Sequence, residues 1–213
     1  ASMRIGLDYG ISSRLMVGIG RSTYQKTYDG FLKFRIIRQQ SGYRNIPLSI
    51  SYASSMMLKT LKEAPTSYNP YSSDRYSFSH QLLFASKLND YISIQLTPTM
   101  LHYNLVDSVS IPNDFYSLGF GSRIRISKRV NLTTEYYHRY TKMSGFNDPL
   151  TLGIDIETGG HVFQLHVTNS TGMTERTFIN ETAGSWSKGD IRFGFNITRA
   201  FGIRKPKELR NGW

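Results

Sequence analysis

The chain has no cysteine among its 213 residues, so no disulfide framework supports it, and cysteine usage says nothing about its compartment. It lacks any run of roughly 20 consecutive apolar residues, which rules out a membrane-spanning helix. Only 39% of residues are hydrophobic, mean hydropathy is −0.36, and no window holds a convincing helical period. No signal peptide opens the sequence, since Ala1 enters a strand pattern almost at once. Acidic residues are scarce beside basic ones, 15 against 26, leaving a formal charge of +11. That balance raises nucleic acid as a partner. The basic residues are spread through strands and turns, however, with no helix or aromatic platform to focus them, and nucleic-acid binding is not expected. None of these shortages excludes a β-barrel in a membrane, because polar lumen residues cancel lipid-facing ones in any average.

What the chain does have is 14 Tyr, 12 Phe and 18 Gly, residue types that suit strands and turns. In "GDIRFGFNITRAF", Ile191, Phe193, Phe195, Ile197 and Phe201 take odd positions while Asp190, Arg192, Gly194, Asn196 and Thr198 take even ones. A strand points alternate side chains to opposite faces, so this segment has one apolar and one polar face. The same period recurs from Met3, Ile5, Leu7 and Tyr9 through Tyr116, Leu118 and Phe120 to Phe163, Leu165 and Val167. About eleven strands of roughly ten residues follow, the length of tilted transmembrane strands.

The connections sort into two sets. Ser12–Arg14, Gln39–Asn45, Asn89–Asp90, Ser127–Arg129 and Thr158–Gly160 read as short; Ser22–Asp29, Lys59–Asp74, Asn104–Asn113, Tyr140–Pro149 and Asn169–Ser187 read as long. Strict alternation of short and long matches outer-membrane barrels, with tight periplasmic turns and longer extracellular loops. On that frame the first strand runs from outside to inside. An even strand count then leads us to expect a signal peptide and a further upward strand before Ala1, giving about twelve strands. Lipid is the expected neighbour of the apolar face. Glycines and charges crowd the polar face, and aromatics (Tyr76, Tyr116, Tyr9, Phe201) stand at strand ends as interfacial girdles do. Eleven strands also exceed the eight of lipocalins.

Three stretches, "ASMRIGLDYGISSRLMVGIGRSTYQKTYDGFLKFRIIRQ", "GGHVFQLHVTNSTGMTERTF" and "GDIRFGFNITRAFGI", resemble an uncharacterised family of outer-membrane β-barrel proteins from Bacteroidota, a domain of unknown function. The resemblance implies a signal peptide and an additional N-terminal strand, and it transfers no catalytic residue.

The polar face supplies the candidate site. Lys33, Arg35, Arg123, Arg125 and Arg192 share it with Glu135, Asp155, Glu157 and Asp190. Opposed rows of cations and acids form either a constriction with a transverse field or a structural network of ion pairs. Gly18 and Gly20 are expected to make room for Lys33 and Arg35. The histidines, His80, His102, His138, His161 and His166, show no nucleophile–base spacing, and His166 beside Ser170 points to the lumen. No metal-ligand spacing or phosphate loop is present, so neither an enzyme nor a cofactor is expected. The N-x-[ST] triplets at Asn131 and Asn196 fall inside strands and read as chance.

The expected protein is therefore an all-β, up-and-down transmembrane barrel over residues 1–203 with a basic periplasmic tail at 204–213. It would lie in the bacterial outer membrane against lipid and lipopolysaccharide. Its expected role is passage of small polar solutes through a charge-lined lumen with a slight anion preference. The rivals are a non-conducting docking subunit of an envelope complex and a soluble lipid-binding barrel. Loops 59–74 and 169–187 are expected to meet envelope protein partners or to fold over the mouth, surface loops of no specific role being the more common case.

Overall fold

The computed structural model describes residues 2–43, 45–61, 72–106 and 108–202. Eleven strands make one sheet in chain order: β1 Arg4–Gly10, β2 Leu15–Ser22, β3 Thr27–Ile37, β4 Ser49–Lys59, β5 Tyr76–Lys87, β6 Ile92–Tyr103, β7 Asp114–Arg125, β8 Val130–Arg139, β9 Leu150–Thr158, β10 His161–Thr168 and β11 Arg192–Arg199. Every neighbouring pair is antiparallel. The tail at 204–213 lies outside the described residues.

Three of the tight turns are closed by the same device. The side-chain oxygen of Ser12, Asn89 or Ser127 accepts the backbone N–H groups two and three residues on, which substitutes for a backbone turn. Two connections depart from the strict alternation expected of them. Ser22–Asp29 is not a long loop: β2 and β3 run on until only residues 23–26 remain, and Gln25 and Lys26 make the reversal at positive φ. Gln39–Asn45 is not a tight turn. The β3–β4 ladder slips between Arg35 and Ile37, and Gln39 and Pro47 reach across to β5. There the Gln39 side chain donates to the Lys87 carbonyl at 2.9 Å and accepts from its N–H at 2.8 Å. A side-chain amide that copies a peptide group extends the sheet where the backbone has left it.

The two faces separate as the alternation demands. Leu7, Phe193, Phe195 and Ile197 are more than half exposed, as are their neighbours Ile5 and Ile19. On the opposite face Ser77, Ser79, Thr97, Thr99, Asn131 and Asp155 are buried. Apolar groups that gain nothing from burial inside the protein need another apolar medium outside it. The polar face is concave: the segment 169–191 packs on it and touches strands far apart in the sheet. Ser2 meets Thr171, Met57 of β4 meets Arg176, Tyr103 of β6 meets Asn180, and Arg192 of β11 meets Asn169. A sheet that surrounds one short segment in this way is curled into a barrel wall.

The wall is not closed. β1 and β11 each have one neighbour among the described residues, and both are exposed on their two faces along most of their length. Alternating directions make β1 and β11 parallel to each other. Antiparallel closure therefore needs an odd number of strands between them.

Candidate functional site: a charged lumen under a resident plug

The loop-side mouth of the lumen is filled. Met57, Leu101, Tyr103, Phe115 and Tyr137, pointing inward from β4, β6, β7 and β8, form a buried cluster with Ile179. Val106, Ile111, Met143 and Phe178 pack against it. Ile179 and Phe178 come from a single irregular helical turn, Arg176–Asn180, inside the segment 169–191. Tyr103 meets Phe115 edge-on at 5.0 Å, and Tyr137 meets Phe178 in the same way at 6.0 Å, the geometry the ring quadrupoles prefer.

Polar groups fasten this plug. Arg139 is 1% exposed. Its guanidinium donates to Asp148 at 3.0 Å, to the Asn180 carbonyl at 3.0 Å and to the Phe146 carbonyl at 2.7 Å. Asn169, equally buried, accepts from Leu150 N–H and donates to the carbonyls of Asp148 and Gly184. Arg176 pairs with Glu181 at 2.7 Å while lying over the Tyr103 ring, and Gln25 donates to the other Glu181 oxygen. The side chains of Asn169 and Asn180 are thus spent on structure, although each begins an N-x-[ST] triplet. Of the outcomes expected for this loop, folding over the mouth is observed.

The nine candidate charges do not meet at one constriction. At the turn side Arg123 bonds Glu157 and lies 4.0 Å from Asp155, which also accepts from Gln164 at 3.0 Å. Arg125 lies beside them at the end of β7. Lys33 and Arg35 project inward from β3, and Glu135 projects inward from the middle of β8, all exposed to the lumen. Asp190 and Arg192 belong to the other end. Asp190 accepts from Ser185 N–H, and Arg192 donates to the Asn169 carbonyl, so both serve the plug. β11 enters the sheet at its loop-side end, which separates these two from Arg123 by the length of a strand.

Lumen glycines mark where side chains from neighbouring strands cross. Gly20 lies beneath an ion pair that was not expected, Arg4 with Asp29, which bridges β1 and β3 across β2. A Cβ at Gly20 would sit 2.5 Å from Arg4 Nη2 and 2.8 Å from Asp29 Oδ2. Gly18 likewise accommodates Phe31 and Asp8. The crossing groups are thus not the expected Lys33 and Arg35, because β2 sits between β1 and β3 in a register that places Asp8 opposite Gly18 and Asp29 opposite Gly20.

A family model described as a membrane bound beta barrel domain (DUF5777) matches residues 1–201. The chain belongs to this family. A solved structure of the NanC porin superposes with a TM-score of 0.64, covering 94% of this chain and 93% of the porin at 4% identity, a likeness of fold alone. No curated protein matches the sequence.

The family membership makes the exposed apolar face the lipid-facing surface of an outer-membrane barrel. On that surface three histidines bear on the enzyme question. His80 Nδ1 lies 2.6 Å from Tyr52 Oη and 3.3 Å from Ser54 Oγ. His102 pairs with Asp114 at 2.6 Å, and His138 lies 3.4 Å from Asp148. Polar groups facing lipid must satisfy one another, and these do. Ser54 and Tyr52 meet the same imidazole nitrogen, so Ser54 has no free base opposite an orienting acid, as a nucleophile requires. His166 points into the lumen, where its ring lies over Gly194. Among the described residues no three His, Asp or Glu side chains are placed to hold a metal ion.

The plug seat was missed from the sequence, though a signal for it is present. Near the loop-side ends of four strands the alternation lapses into apolar pairs: Met56-Met57, Met100-Leu101, Phe115-Tyr116 and Tyr136-Tyr137. Where both faces of a barrel strand are apolar, the inner one needs a cover.

Proposed function

We propose that this barrel is a channel for small polar solutes whose loop-side mouth is closed by residues 169–191, and that it conducts when that segment leaves its seat. The observation that carries this reading is the lumen below the plug. Lys33 and Arg35 project into it with exposed side chains that join no ion pair among the described residues like that of Arg123 with Glu157, whereas a barrel filled only for stability would pair or remove such charges. Besides its apolar seat, the plug is tied by hydrogen bonds among Arg139, Asn169, Asn147 and Gln25 and their partners, bonds that water can replace on release. The surplus of cations over acids in the lumen favours anions. In this reading the loops face the exterior and the tight turns the periplasm.

Planar-bilayer recordings test it. The intact protein is expected to show rare, brief openings, and a variant lacking residues 172–183 stable conductance steps with anion preference. Replacing both Arg123 and Arg125 with Ala in that variant should lower the preference. A folded deletion variant that never conducts would overturn the proposal. The density of contacts in the plug supports a second reading, a non-conducting barrel that docks in an envelope assembly. That reading predicts no conductance from either protein and stoichiometric co-purification of a partner.

A further inference from the structure

Beside the plug, on the lumen face of β1, β3 and β4, lies a pocket of about 200 Å³. Its walls are Arg4, Asp29, Phe31 and Ser55 from the barrel and Met173, Thr174 and Glu175 from the plug. Arg4 is committed to Asp29 through two hydrogen bonds, which leaves the Glu175 carboxyl without a cation of its own. Ser55 is 7% exposed. Its Oγ lines the pocket together with Glu175 and has no partner at hydrogen-bonding geometry among the described residues. A buried hydroxyl left unmatched in this position costs free energy unless a further group fills the site.

The geometry points to a binding site for a primary alkylammonium ion. The ammonium would donate to the Glu175 carboxylate, to Ser55 Oγ and to a free lone pair of Asp29, three acceptors for its three N–H groups. The alkyl chain would lie along Phe31 and Met173, where the Phe31 ring face also favours a cation. The volume admits about six water-sized groups, which suits a short chain and excludes a large one. Burial raises the affinity of the empty Glu175 carboxyl for a proton, and Asp29 acts in the same direction. Wherever the carboxyl carries that proton, the ammonium takes its place and binding releases it. The site needs no conduction, so it stands or falls apart from the channel proposal.

The test uses the full chain in detergent and n-butylammonium as the probe, followed by isothermal titration calorimetry in buffers of different ionisation enthalpy. Saturable binding in the millimolar range is expected, with a net proton release that grows as pH is lowered and no binding of butyrate. Glu175→Gln should weaken binding about tenfold and abolish the proton release, which corresponds to losing one charge-assisted bond. Ser55→Ala, which removes no folding contact, should weaken it several-fold while the proton release persists. Absence of saturation at about 50 mM probe, or equal affinity in wild type and Ser55→Ala, overturns the site whether or not Glu175→Gln folds.

Discussion

Glu175 is a residue whose proton affinity is set by its seat in the plug. Burial holds its carboxyl protonated to higher pH than an ordinary glutamate, with Asp29 adding to the effect while Arg4 opposes it. Glu135, facing it from β8, interacts with it as a like charge. With the plug seated the group binds its proton more tightly than when the plug is released. The seat is therefore strongest below the ordinary glutamate range and weakens as pH rises through the raised value. The cysteine-free chain allows a direct measurement. Ser170 is 3% exposed with an unbonded hydroxyl, and Val109 is fully exposed. The thiol-labelling rate of Ser170→Cys, divided by that of Val109→Cys, should climb with pH and become flat once Glu175→Gln is added. Gly119 gives a second prediction at this scale. Its missing side chain lets the Tyr137 ring lie 2.5 Å from where a Cβ would be. Gly119→Val should cost about 2 kcal/mol through overpacking, seen as a lower temperature for loss of the compact form on unheated gels.

At the scale of elements, the plug behaves as an extra core rather than as a loop. Its irregular turn at Arg176–Asn180 would not hold alone, since so short a helical piece is unstable in water; the barrel wall holds it. Arg139 is the main fastening, and its removal strands two carbonyls and leaves Asp148 only Tyr136 and His138. Arg139→Ala should weaken the seat by roughly 3 kcal/mol, as expected for breaking a buried charged network. Protease cleavage within 172–184 is the measurement, and the strands should keep their β-sheet circular dichroism. If cleavage stays at the wild-type level, Arg139 is not the fastening. The turn-side cluster of Arg123, Asp155 and Glu157 plays a different part, crossing from β7 to β9 over β8 and bracing the sheet where no plug supports it.

For the whole molecule the governing quantity is the difference between its two surfaces. Phe195 and Asn196 are adjacent in β11 but point to lipid and lumen respectively. Phe195→Arg should destabilise the barrel by about 2–4 kcal/mol if it lies near the bilayer midplane. Asn196→Arg should cost far less and shift only ion selectivity. Equal effects in a lipid-vesicle unfolding titration would refute the assignment of faces. The exposed edges of β1 and β11 belong to this scale too. Unpaired backbone groups in hydrocarbon cost several kcal/mol each, so a strand antiparallel to both edges would stabilise the wall more than any side-chain contact described above.

The residues by themselves determine the strands, their order and which way they face. Each rests on a local rule: the period-2 alternation of Ile191, Phe193 and Phe195, and the turn chemistry of Ser12, Asn89 and Ser127. Connection lengths were less legible, because the end of a ladder depends on partners such as Lys87 opposite Gln39, which no local pattern names. The partners the plug meets, the Arg4–Asp29 bridge and the pocket at Ser55 and Glu175 were decided by tertiary structure alone. Each joins residues from strands far apart in the chain, and only curling the sheet brings them within hydrogen-bonding distance. Charge and alternation can place a side chain on the inner face, but they carry no information about which other inner side chain, or which returning loop, will meet it there.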